Sequence, residues 1–539
     1  MSDEPVATID AVKKGKFECT IRTSARSTDI EGTLCQIETE SQIILGRIGR
    51  VDLSNPMHDD MSFKPLIMEK GSLQYFSGNA DIEQTTVEII SCMNKETSRI
   101  ESKKANPPSG TPVHRATHDV MAQFVPEKKY FMYVGTLPTD SSVHMSVRNR
   151  HYGADVDDNY EDTGGFGEAK HRGYFGRNGS GKTVMALTQL AGRLVQHTQL
   201  GCLIPDTAGD ISLVDSHNKG NFQFSFIRLL ESGGRRVQEI EIGNVRLESR
   251  DTLIALLTKY FTNDLKIGKK ENCETLASRT VLGLFRGEVD IDSVSLDDLL
   301  EMAATLAPQC WSAATGNQKA TALRTYQNND FAQGEYEDTV RQFFIGEHGI
   351  NDLIWSFLNA GEIIILQLHT LDQEAKEFVM YEIFQSLTWR TENAYKRNNG
   401  QMVNSEIVLD EAPRWVGQGS HDRIAGRIRD AAKNTRKYGL SWTFIGQRPA
   451  NVDNDVISQM HTLWFGRGLG VGADRNHMER ELGSVGLEEY DRLNTQGGFF
   501  WMGVGDEINL GVGTSYISVM SYGGNSNNRI MEMNEHIWR

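Results

Sequence analysis

Gly176-Arg177-Asn178-Gly179-Ser180-Gly181-Lys182-Thr183 constrains this chain more than any other stretch, because its spelling, G-x-x-x-x-G-K-[ST], belongs between a strand and a helix. Glycines let the backbone curl until successive N–H groups converge on anionic oxygens at a helix N-terminus. The expected nucleotide-binding set is Gly176, Arg177, Asn178, Gly179, Ser180, Gly181, Lys182, Thr183 and Val184. Lys182 has the reach for the β- and γ-phosphates of a nucleoside triphosphate, and the Thr183 hydroxyl suits Mg²⁺. The surroundings agree. Gly173-Tyr174-Phe175 reads as a strand entering the loop, and Val184 to Val195 as a helix leaving it with Leu187, Leu190 and Leu194 on one face. A loop of this kind implies an α/β domain.

A second chemical motif follows far downstream. Glu406-Ile407-Val408-Leu409 reads as a buried strand that ends in Asp410-Glu411. Beside a phosphate loop, Asp410 is expected to hold Mg²⁺, and Glu411 to orient or deprotonate an attacking water. A further strand, Ser441–Ile445, ends in Gly446-Gln447-Arg448-Pro449, where the Gln447 amide is placed to sense a γ-phosphate or simply to cap the strand. Between them runs a basic stretch, Arg423, Arg427, Arg429, Lys433, Arg436 and Lys437. It reads either as a solvated face or as cations for phosphates.

The chain of 539 residues exceeds one ordinary domain. Residues 1–15 read as a flexible tail, and 16–150 as short β-type runs of a small barrel. Residues 151–520 read as the ATPase domain, interrupted at about 250–358 by a helical bundle, and 521–539 as a tail whose aromatic end suggests docking on the ring. Within 151–169 an acidic, glycine-containing run reads as a connector rather than a metal site. Ser295-Leu296-Asp297-Asp298 has the spacing of a helix start, 373–396 reads as one long helix, and Asp206 and Asp210 are lesser site candidates at a strand end. The net charge of −16 argues against nucleic acid globally, but a ring needs positive charge only along its pore. Six scattered cysteines without C-x-x-C spacing argue against a zinc site and suit a reducing cytoplasm. No apolar run approaches the ~18 residues of a membrane span, and the N-terminal residues lack a signal-peptide pattern.

Taken together these residues resemble the HerA branch of the HerA/FtsK hexameric DNA-translocating ATPases. The resemblance rests on Gly176–Thr183, Asp410-Glu411, Arg436-Lys437-Tyr438-Gly439 and Gly446-Gln447-Arg448-Pro449, with Val456-Ile457-Ser458-Gln459 continuing the last. Leu45-Gly46-Arg47-Ile48 is similar to part of that family's barrel, and Lys170 stands where the family often has arginine. The resemblance implies a RecA-like P-loop ATPase core with an N-terminal β-barrel and an inserted helical bundle. It implies Lys182 and Glu411 as catalytic, Gln447 as sensor and Arg436 as an arginine finger acting across a subunit interface. Thr183 and Asp410 would be the metal residues. It further implies a homohexamer with double-stranded DNA in its pore and a separately encoded nuclease or sirtuin-like effector, as in phage-defence relatives. The alternative is a structural ring that assembles and licenses such an effector, with ATP as a switch.

Overall fold

The computed structural model describes residues 4–13, 15–25, 30–56, 81–104, 106–124, 131–149, 169–211, 224–287, 294–327, 329–419, 423–508, 516–522 and 527–538. The acidic run expected as a connector, apart from Ala169, lies outside them. The chain divides into two compact units, one of residues 1–150, 174–192 and 461–537, the other of 151–173, 193–460 and 538–539.

In the first unit, alternating apolar residues close a barrel. Its order is Lys16–Ile21, Ala7–Lys13, Pro112–Arg115, Leu34–Glu38, Gln42–Ser54 and Ile82–Asn94, and the last strand pairs back to the first at Phe17 and Val87. Ile9, Phe17, Cys19, Ile37, Ile44, Ile48 and Val87 form its interior. Among the described strands, closure leaves no long unpaired edge. A bulge between Leu45 and Gly46 bends the longest pair, and a Cβ at Gly46 would stand 2.5 Å from Val87 Cγ1, so glycine is required there. Two expectations are corrected. Ala7–Lys13 is a barrel strand rather than tail, because its alternation buries Ala7 and Ile9. Phe131–Leu137 and Asp140–Arg148 belong to a different sheet, in which Met520 and Ser521 pair with Thr136 and Gly135.

That sheet continues as an antiparallel set of Tyr516–Ser521, Phe500–Gly505 and Met460–Gly466. The C-terminal segment is helical, Asn527–Met533 and Glu535–Trp538. It docks on its own chain: Asn534 brackets the Tyr133 backbone with bonds of 2.7 and 3.0 Å, and His536 stacks on Phe131. Within the second unit the Trp538 indole donates to Leu229 O at 2.9 Å.

The second unit is built on parallel strands in the order Val237–Glu241, Ile363–Gln367, Gly201–Asp206, Ser405–Leu409 and Leu440–Gly446. The last four are almost wholly buried, as fits a sheet covered on both faces, whereas the edge strand Val237–Glu241 exposes Gln238, Glu239 and Glu241. Between Val237–Glu241 and Ile363–Gln367 lies the helical insertion, including Arg250–Lys259, Lys270–Phe285, Leu296–Leu306 and Ala313–Thr325. The Ser295 capping box forms as its spacing predicts. Ser249 does not cap its own helix; instead the buried Glu382 carboxylate accepts from the N–H groups of Glu248 and Ser249. The expected helix over 373–396 is two, Gln373–Gln385 and Leu387–Arg397, broken at Ser386 where φ is −113° and ψ −1°.

Candidate nucleotide site

The phosphate loop leaves the buried strand His171–Phe175 and runs into the helix Lys182–Gln196. Gly179 and Gly181 have φ of +78° and +82°, conformations that side chains disfavour. A Cβ on Gly176 would meet Ser180 Oγ at 2.4 Å, which keeps the loop tightly closed. Ser180 N bonds back to Arg177 O at 3.0 Å, and the buried Ser180 hydroxyl has no partner. An orphaned hydroxyl inside a curled glycine loop fits a phosphate-bearing nucleotide. Lys182 is half-buried, its Nζ 3.5 Å from Asn178 Oδ1, and Thr183, the second residue of the helix, is 9% exposed. Val184 is buried, so it packs the helix start.

A second glycine loop lies alongside and is absent from the sequence reading. Gly466 to Gly472 alternates glycine with other residues, and φ is positive at Gly468, Gly470 and Gly472. Arg177 N donates to Arg467 O at 3.2 Å, and a Cβ at Gly468 would strike Arg177 Cδ at 2.6 Å. Tyr490 braces this loop by donating to Gly466 O and accepting from Leu469 N. The alternating glycines were the available signal.

Within the second unit, Asp410 and Glu411 stand just past the C-terminal end of Ser405–Leu409. Asp410 is 6% exposed and its Oδ1 accepts the Glu411 N–H at 2.7 Å. Glu411 sits in the left-handed region, φ 50° and ψ 41°, at the start of the short helix Ala412–Trp415. Its carboxylate faces Arg414 at 3.6 Å and remains partly open to solvent. A non-glycine residue held there stores strain, a feature that clusters at reactive sites. On the adjacent parallel strand, Gln447 follows Gly446 and is exposed, at the same end of the sheet as the acids. The structure thus brings Asp410, Glu411 and Gln447 to neighbouring strand ends. Arg436 lies elsewhere, half-buried in the turn Arg436–Tyr438 after the helix Arg423–Thr435.

Two lesser expectations receive different work. Asp206 uses one oxygen on Gly209 N and the other on Ile211 N, which shapes the turn after its strand. Arg429 and Lys433 pair with Asp453 and Asp455, each at 2.7 Å, so the basic helix face is partly neutralised within its own chain. Among the described residues no group of three or more metal-ligating side chains occurs, and no helix is long and apolar enough to cross a membrane.

No protein-family model matches the chain. It is 31% identical over 107 residues to the DNA double-strand break repair helicase HerA of Sulfurisphaera tokodaii, covering 19% of this chain and 21% of that one. To the protein of the same name from Pyrococcus furiosus it is 21% identical over 308 residues, covering 48% and 51%. The chain therefore spans about half, or less, of the length of these curated relatives. VirB4 of Thermoanaerobacter pseudethanolicus is a structural neighbour at 14% identity and a TM-score of 0.34, over 72% of this chain and 94% of that one.

Proposed function

We propose that this HerA-like chain is an ATP-hydrolysing motor that acts on double-stranded DNA. The observation that carries the reading is a closed phosphate loop with an orphaned Ser180 hydroxyl, in a chain that also holds Glu411 strained at a strand end. Backbone N–H groups of Gly179 to Thr183 and the Lys182 ammonium bind and orient the phosphates. Thr183 and Asp410 would hold Mg²⁺, which when bound neutralises charge developing on the transferred phosphoryl group. Glu411 orients the attacking water and takes its proton on a carboxylate oxygen. Gln447 positions the same water, and Arg436 reaches the γ-phosphate held by a neighbouring copy.

The proposal extends to the assembly. The family resemblance supports a cytoplasmic homohexamer with DNA in its pore, and a separately encoded nuclease or sirtuin-like effector that the ring serves in antiphage defence. ATP turnover by the purified chain, with and without linear double-stranded DNA, tests the motor. DNA is expected to stimulate turnover severalfold. Arg436→Ala is expected to keep the ring's mass and nucleotide binding while turnover falls by about 10³ or more. Turnover indifferent to DNA on intact rings sinks the motor reading, and wild-type turnover in Arg436→Ala removes the trans-acting arginine.

A further inference from the structure

Phe499 has no role in the site described above, yet it stands beside it. It follows Gly497 and Gly498, whose φ values of +82° and +91° turn the chain sharply from the helix Ala473–Gln496 into the strand Phe500–Gly505. Its backbone is anchored, since Ser521 N donates to Phe499 O at 3.0 Å. Its ring is not buried: Phe499 is 48% exposed, whereas the next residue, Phe500, is fully buried. A Cβ built on Gly181 would come 3.7 Å from Phe499 Cδ1, so the ring lies against the phosphate loop one residue before Lys182. The phosphate loop and Phe499 belong to the same compact unit. A Cβ on Gly498 would meet Met520 Cε at 2.8 Å, so a side chain at that turn would crowd its neighbour.

We propose that Phe499 is the platform on which the nucleotide's base stacks, next to the loop that takes its phosphates. The inference rests on the phosphate-loop reading and deepens it. A single half-exposed ring is ordinary by itself; the place of this one, against Gly181 of the phosphate loop on an anchored backbone, is what offers its apolar face to a ligand held there. The ligand already required at this place has an anionic end matched to the loop and a planar, uncharged end with no partner. A π-face satisfies that end without hydrogen bonds. Stacking tolerates any base, so the platform supplies affinity rather than a choice between adenine and guanine.

Equilibrium binding of ATP, GTP and inorganic tripolyphosphate to the full chain, each with Mg²⁺, separates the two ends of the ligand. Wild type is expected to bind ATP and GTP more tightly than tripolyphosphate. Phe499→Ala should weaken ATP and GTP alike, by roughly tenfold or more, and leave tripolyphosphate unchanged. Phe499→Trp should restore nucleotide binding. Phe499 is half in solvent, so both variants are expected to fold, and their unchanged tripolyphosphate affinity reports that the loop is intact. Wild-type ATP affinity in Phe499→Ala overturns the platform, as does an equal loss of nucleotides and tripolyphosphate. Wild type that binds none of the three, with Lys182→Ala indistinguishable from it, overturns the phosphate-loop reading itself and this inference with it.

Discussion

Glu411→Gln is expected to lower ATP turnover by about 10²–10⁴ while ATP affinity stays within a few-fold of wild type. The amide has the carboxylate's shape but cannot accept the water's proton. Its partner Arg414, 3.6 Å away, loses only a partly exposed ion pair, so stability should change little. Single-turnover hydrolysis and nucleotide binding, measured on the same preparation, separate chemistry from affinity. Undiminished turnover would remove Glu411 from the mechanism. Glu411→Gly sharpens the test. At φ 50° glycine relieves backbone strain, so this variant should unfold at a higher temperature by the equivalent of about 1 kcal/mol while remaining inactive. A protein made more stable and inactive by one substitution is the signature of strain kept for function. Loss of stability in Glu411→Gly would instead mean that the carboxylate holds the turn together.

Glu406→Leu is expected to destabilise the fold by about 3–5 kcal/mol, the largest stability effect anticipated for a single site. Glu406 is fully buried on the strand that ends in Asp410-Glu411. Arg193, from the helix that follows the phosphate loop, grips it with two bonds of 3.1 and 2.8 Å. Arg172, from the strand before the loop, lies 3.5 Å away, and the Thr443 hydroxyl from the Gln447 strand donates to it as well. Glu406, Arg193, Arg172 and Thr443, drawn from four different elements, all lie within the second unit. Removing Glu406 takes a carboxylate away from two buried guanidiniums. Glu406→Leu combined with Arg193→Leu should cost less than the sum of the two single changes, because the two side chains share one buried ion pair.

The same network sets an acid limit. Burial by itself would raise the Glu406 carboxyl, but Arg193 and Arg172 outweigh it and hold its pKa at about 2, against 4.5 for an ordinary glutamate. A carboxyl whose folded value is depressed contributes stability that is fully present above its unfolded value. That contribution fades as pH falls from about 4.5 towards 2, and it is worth about 3 kcal/mol when complete. Denaturant midpoints between pH 6 and 2.5 should fall for wild type and fall less steeply for Glu406→Leu. Equal slopes in the two proteins would mean that the carboxyl titrates normally.

The sequence by itself determined what depends on neighbours along the chain. The spelling around Lys182, the run ending at Asp410-Glu411 and the Ser295 cap are local rules, in which a few consecutive residues set φ, ψ and hydrogen bonds without help from afar. The barrel strands were legible for the same reason, since alternation is a local pattern; Ala7–Lys13 escaped only because a short first strand is indistinguishable from tail until Lys16–Ile21 pairs with it. What only the tertiary structure decided concerns residues brought together from distant segments. Arg193, Arg172 and Thr443 have no sequence spacing that marks them as partners of Glu406. Arg429 and Lys433 read as open cations until Asp453 and Asp455 fold back on them, and the docking that the aromatic end suggests has no named acceptor until Leu229 O takes the Trp538 indole N–H. Phe499 has the apolar character of a core residue, and only its fold-level exposure beside Gly181 marks it for another purpose. Motifs are covalent neighbours, whereas charge neutralisation, exposure and docking are properties of space.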